Sequence, residues 1–200
     1  MKITIDKIEI ETERLIDLLE AFAECYGSPD MEQLTTQKPD VMQITVGGEK
    51  YDLLKCKEAD GTIYIFDRIT GTASMDGMDE YLEGLEKELP SDINFVPFAN
   101  GKLLRLATEK EIFGINKVGN PEEGEQFECM KSRKNRVTVD EDDDFIPWWL
   151  STRRKDFSAN VALVGSTGYA ASLNASNTYL GVRPLLKIQN PEIPDAVASE

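Results

Sequence analysis

The chain has no histidine, and its 200 residues include only three cysteines, Cys25, Cys56 and Cys129. Without imidazole, Ser-His-Asp and Cys-His catalysis within the chain is excluded, as are the usual zinc ligand sets. The cysteines are odd in number, widely spaced and free of any CxxC pair, which predicts reduced thiols with no intrachain disulfide. No apolar run approaches the about 20 residues of a membrane-spanning helix. The start, Met1-Lys2-Ile3-Thr4-Ile5-Asp6, alternates and becomes charged at once, so it lacks the apolar region of a secretory signal. Basic side chains are scarce as well: 22 Lys and Arg stand against 37 Asp and Glu, a formal charge of -15. Residues 1 to 100 carry 9 basic and 22 acidic side chains, so most of that charge sits in the first half. Such a field repels nucleic acid and anionic membrane and favours a basic partner or plain solubility.

The hydrophobic content, 40%, suits one medium domain plus an appendage. Residues 1 to 40 read as that appendage and a linker. Ile3, Ile5, Ile8 and Ile10 mark a strand, and Thr12 caps a helix whose apolar face carries Leu15, Leu18, Leu19, Phe22 and Tyr26. Residues 41 to 190 read as the main domain and 191 to 200 as a loose tail with two prolines. Val41 to Val46, Tyr51 to Lys57 and Thr62 to Phe66 alternate and are joined by Gly47-Gly48 and Asp60-Gly61, the pattern of a three-stranded meander. Asp76 is placed to cap a helix bearing Met78, Tyr81, Leu82, Leu85 and Leu89, supported by a Glu83–Lys87 pair and stopped at Pro90. Leu103 to Leu106 reads as a short buried strand, and Thr108-Glu109-Lys110-Glu111 as a capping box opening a helix that ends at Gly114.

The two tryptophans are adjacent, Trp148-Trp149-Leu150. On a strand they point to opposite faces, so both faces must be covered or one ring is a binding surface. A second strand is expected from Gly181 to Ile188, bracketing a loop-rich insert. The text Trp148-Trp149-Leu150-Ser151-Thr152, then Val161-Ala162-Leu163-Val164-Gly165, then Gly181-Val182-Arg183-Pro184-Leu185-Leu186 resembles a family of uncharacterised bacterial and prophage domains with WWLRS-like and GVRPAL-like strands. Those domains are similar in turn to the C-type-lectin-like fold of formylglycine-generating enzymes and phage receptor-binding variable proteins. The resemblance covers about residues 41 to 190. It implies an α+β, lectin-like domain, a product of the bacterial cytoplasm encoded by a phage or prophage and open to incorporation in a virion, and an internal, paired Arg183.

Three functions follow as expectations. The first is a non-enzymatic module that binds a protein or glycan through the 153–180 loops. There Arg153, Arg154, Asn174, Asn177 and Tyr179 supply adaptable hydrogen bonds and rigid aromatic contact. The second is an acidic inhibitor that mimics nucleic acid against a host defence protein, using positions such as Glu80, Glu83 and Glu86. The third is a metal- or thiol-dependent enzyme on the same fold. For a metal, Asp142, Asp143 and Asp144 are the candidate calcium ligands, although the run lacks the alternating spacing that wraps a loop around one ion. For a thiol, Cys129 lies near Lys131, Arg133 and Lys134, but no second cysteine follows it in the chain.

Overall fold

The computed structural model describes residues 41–58, 60–122, 124–140 and 142–190. The expected strand and helix of residues 1 to 40, Cys25 and the tail from 191 lie outside the described residues. Within them the fold is α+β.

Alternating strands build two antiparallel sheets. The first has the order β1-β2-β3-β8-β4, from β1 (Val41–Val46), β2 (Glu49–Glu58), β3 (Thr62–Phe66), β8 (Leu185–Ile188) and β4 (Leu104–Arg105). The meander expected from the Gly-Gly and Asp-Gly turns is present, with Gly47 and Gly48 both at positive φ, as a tight hairpin turn requires. The second sheet has the order β5-β6-β7, from β5 (Trp148–Arg153), β6 (Asn160–Val164) and β7 (Ala170–Asn174). The expected loop-rich insert is therefore mostly a second meander.

Successive side chains of a strand point to opposite faces, so each sheet feeds two apolar clusters. The first gathers Ile44, Leu53, Phe66, Leu186, Trp149, Val161 and Leu163. It is covered by α1 (Met78–Glu86), whose Met78 and Leu82 are buried. The second gathers Ile65, Leu185, Trp148, Leu150, Ala162 and Val164. It is covered by Ile112 of α2 (Glu109–Phe113) and Met130 of α3 (Glu128–Lys131). Both indoles are fully buried, one in each cluster. Each indole N–H donates to a carbonyl: Trp148 Nε1 to Arg136 O at 2.9 Å, and Trp149 Nε1 to Ala73 O at 2.8 Å.

The Gly181–Ile188 strand is shorter than expected. Pro184 has no N–H to donate, so regular pairing begins only at Leu185. Residues 181 to 184 are held instead between β5 and the stretch after β3. Trp149 N donates to Gly181 O at 3.0 Å, Gly181 N to Pro147 O at 2.9 Å, and Val182 N to Gly71 O at 2.9 Å. A Cβ on Gly181 would lie 2.5 Å from Ile69 Cγ2, so this close approach requires glycine. Arg183 is internal, as the resemblance implies. Its Nε donates to Phe66 O at 2.6 Å and its Nη1 to Asn135 O at 2.8 Å, and its guanidinium lies 5.1 Å over the Trp148 ring. Burial holds its pKa down to about 10, so it remains a cation at neutral pH.

Two local expectations are corrected. Ser74, not Asp76, caps the start of the α1 region, its hydroxyl accepting from Gly77 N across a 3-10 turn over Met75–Gly77. Glu83 forms its ion pair with Lys102, in the segment just before β4, rather than with Lys87. The box at Thr108 is intact: Glu111 N donates to Thr108 Oγ1 and Thr108 N to Glu111, and α2 ends at left-handed Gly114.

Trp148→Ala and Trp149→Ala are each expected to cost about 3 to 5 kcal/mol, since each empties a large site in a different cluster. Urea titration with an unchanged m-value checks this; loss from only one of the two contradicts it. Arg183→Leu is expected to cost about 2 kcal/mol by leaving the buried Phe66 carbonyl and the part-buried Asn135 carbonyl without this donor. An unchanged denaturation midpoint contradicts that.

Candidate functional site

A cleft of about 740 Å3 lies between α1, the segment around β4 and the end of β5. Its floor is apolar, made by Met78 and Leu82 of α1 with Leu104 and Leu106. These are the residues that a helix face and a short buried strand turn toward the first cluster. One wall is polar and carries Arg105, Glu111, Ser151 and Arg153; the opposite rim carries Asp79 and Glu83.

Most of these polar groups are already committed. Arg105 is locked by a two-pronged pair with Glu111, at 2.8 and 2.6 Å, and stacks 4.6 Å from the Phe98 ring. Glu111 also accepts from Thr108 N at 2.8 Å, so the capping box and the cleft wall share one carboxylate. Glu83 bridges to Lys102. Arg153 differs. It is exposed, donates once to the neutral carbonyl of Ser158 at 3.1 Å, and makes no ion pair with a described residue.

Glu109 accounts for the rigidity of this wall. It is fully buried, and its carboxylate accepts from Lys117 N at 2.9 Å, Val118 N at 3.0 Å and Gly119 N at 2.8 Å. Its own N–H donates to Thr152 Oγ1 at 2.7 Å, which ties α2 to β5 one residue before Arg153. A Cβ on Gly119 would sit 2.1 Å from Thr152 Cγ2, so the loop closes over Glu109 only with glycine there. A carboxylate holding successive backbone N–H groups in this way is structural. The sequence marked Glu109 only as part of a capping box.

The five residues expected to form a ligand face are not all alike. Arg153 faces the cleft. Arg154, just past the end of β5, donates to Ser172 Oγ at 3.1 Å and covers the Phe157 ring at 4.9 Å. Asn174 accepts from Ser176 N at 3.0 Å and so shapes its own turn. Asn177 donates to the Tyr179 hydroxyl at 3.2 Å, and the Tyr179 ring is 61% exposed, which leaves a free face.

The acidic run is likewise organised by itself. Asp140 Oδ1 accepts from Asp142 N at 3.0 Å and Asp144 N at 3.1 Å, and Asp143 takes a positive φ of 63°. Asp143 borders a shallow depression with Arg68, Arg133 and Lys134, three cations that oppose a bound divalent ion. Among the described residues, no group of three or more acidic or cysteine side chains is arranged to hold a metal.

The thiols bring the largest departure from expectation. Cys129 does have a second cysteine: Cys56, 73 positions earlier in the chain, puts its sulfur 2.9 Å away. A shift in the β2–β3 register between Lys55 and Lys57 leaves Cys56 as the extra residue of a bulge, which no spacing rule in the sequence reveals. Both thiols are free. Burial pushes the Cys56 thiol well above its ordinary range. The hydrogen bond shared with Cys56, followed by the Arg183 cation, holds Cys129 below it.

Among the described residues, no helix is long and apolar enough to cross a membrane. No curated protein and no solved structure matches the chain. Residues 105–190, which include α2, the Glu109 loop, the second sheet and the Arg183 segment, are similar to a family described as Domain of unknown function (DUF6273).

Proposed function

We propose that the chain is a non-enzymatic, lectin-like binding module, phage- or prophage-encoded, that receives a segment of a protein partner in the cleft beside Arg153. The observation that carries this reading is the pairing of an apolar floor with one exposed arginine that lacks a carboxylate among the described residues. A volume of about 740 Å3 suits a small ligand or a few side chains of a peptide. An apolar side chain from the partner covers Met78, Leu82 and Leu104, and an acidic neighbour pairs with Arg153. The other cleft cations, Arg105 and Lys102, are satisfied in the free protein.

A glycan is served less well, because sugars stack on an open aromatic face and the Phe98 ring is covered by Arg105. The nucleic-acid-mimic reading keeps fewer free carboxylates than the sequence suggests. Glu83 bridges to Lys102, and Glu86 accepts from Leu103 N at 2.7 Å and Leu104 N at 2.8 Å.

Panning a random-peptide library against the chain tests the proposal. The expected consensus is an apolar residue next to an acidic one. Arg153→Glu and Ser151→Trp should each weaken its binding by about tenfold or more, equal to about 1.4 kcal/mol. Stability should stay within about 0.5 kcal/mol for these surface changes. A basic consensus abolished by Glu80→Lys, with steep salt dependence, favours the mimic. A consensus indifferent to Arg153 overturns the cleft as the site.

A further inference from the structure

We propose that Cys56 and Cys129 form a dithiol site that a hydroperoxide oxidises reversibly to a disulfide, Cys129 attacking and Cys56 resolving. This inference rests on the second cluster and is independent of the cleft.

Three observations converge on the pair. The two sulfurs are in contact at 2.9 Å although they belong to a strand bulge and a short helix far apart in sequence. The two thiols differ in access: Cys56 is 6% exposed, whereas Cys129 is only partly buried, so an oxidant meets Cys129 first. The third observation is Arg183, fully buried beside them. Its hydrogen bonds go to two neutral carbonyls, and it makes no ion pair with a described residue. A buried cation without a paired anion stabilises negative charge nearby, and a thiolate at Cys129 supplies it. Asn135 ties these parts together: its carbonyl accepts from Arg183 at 2.8 Å, and its side-chain amide donates to Cys129 O at 2.7 Å. Arg183 and the thiolate-bearing helix are therefore held by one residue.

The chemistry balances in two steps. The Cys129 thiolate attacks one peroxide oxygen, the O–O bond breaks, and a sulfenic acid and a hydroxide or alkoxide form. Cys56 then loses its proton as its sulfur displaces the sulfenic oxygen, which leaves as water, and the S–S bond forms. Two thiols are oxidised by two electrons and one peroxide is reduced. The product clamps β2 to α3 across the second cluster. A dithiol reductant reverses it.

The test uses the full chain, fully reduced and then exposed to one equivalent of hydrogen peroxide. After denaturation and alkylation, intact mass is expected to show one alkylated cysteine in place of three, and peptide mapping a Cys56–Cys129 link that dithiothreitol removes. In Cys56→Ser, whose hydroxyl keeps a hydrogen-bond donor, dimedone should capture a sulfenic acid at Cys129. The alkylation rate of Cys129 should reach half its plateau below pH about 8.5, the ordinary thiol value. Three free thiols after peroxide overturn the proposal. So does over-oxidation of Cys129 without a link, or a link made by Cys25.

Discussion

Two adjacent, fully buried tryptophans on one strand impose a constraint that the rest of the domain satisfies. Neighbouring side chains on a strand diverge to opposite faces, so Trp148 and Trp149 cannot share a core. Each needs its own apolar surroundings and its own carbonyl for the indole N–H. The domain therefore has two clusters, with β5 between them and both sheets contributing alternate residues to each. The Gly181–Pro184 segment closes against the same strand. It brings in Arg183, whose guanidinium stacks on Trp148 and whose N–H groups satisfy the otherwise unpaired carbonyls of Phe66 and Asn135.

The two clusters have different chemistry at their edges. The first, capped by α1, leaves an apolar cleft whose wall is made rigid by the Arg105–Glu111 pair and, behind it, by Glu109. Rigid walls reduce the ordering cost of binding, which is why one unpaired arginine there carries weight. The second, capped by α2 and α3, holds the dithiol beside a buried cation. Charge that would be screened at the surface acts more strongly there because Arg183 and Cys56 are buried.

Much of this architecture was legible in the residues. The alternation and glycine turns of 41 to 66, the Thr108 box and the opposed tryptophans rest on local rules, and the structure follows them. What was not legible depends on contacts distant in sequence. Lys102 replaces Lys87 as the partner of Glu83 because β4 lies alongside α1. Cys56 meets Cys129 through a bulge, and a bulge leaves no compositional trace. Composition and the lectin-like resemblance spread the expected ligand face over 153 to 180. The end of β5 divides it: Arg153, its last residue, lines the cleft, and Arg154 covers Phe157. Asp140 uses its carboxylate on the backbone of its own turn, an arrangement that a run of acids does not by itself reveal.

Hydrogen exchange of the two indole N–H groups, followed by NMR under native conditions, tests the shared strand most directly. Because β5 is the common wall of both clusters, both indoles are expected to exchange only through global unfolding, at the free energy that urea titration gives. One indole exchanging at a markedly lower free energy than the other would show that its cluster opens alone. That result would contradict a domain organised around the tryptophan strand.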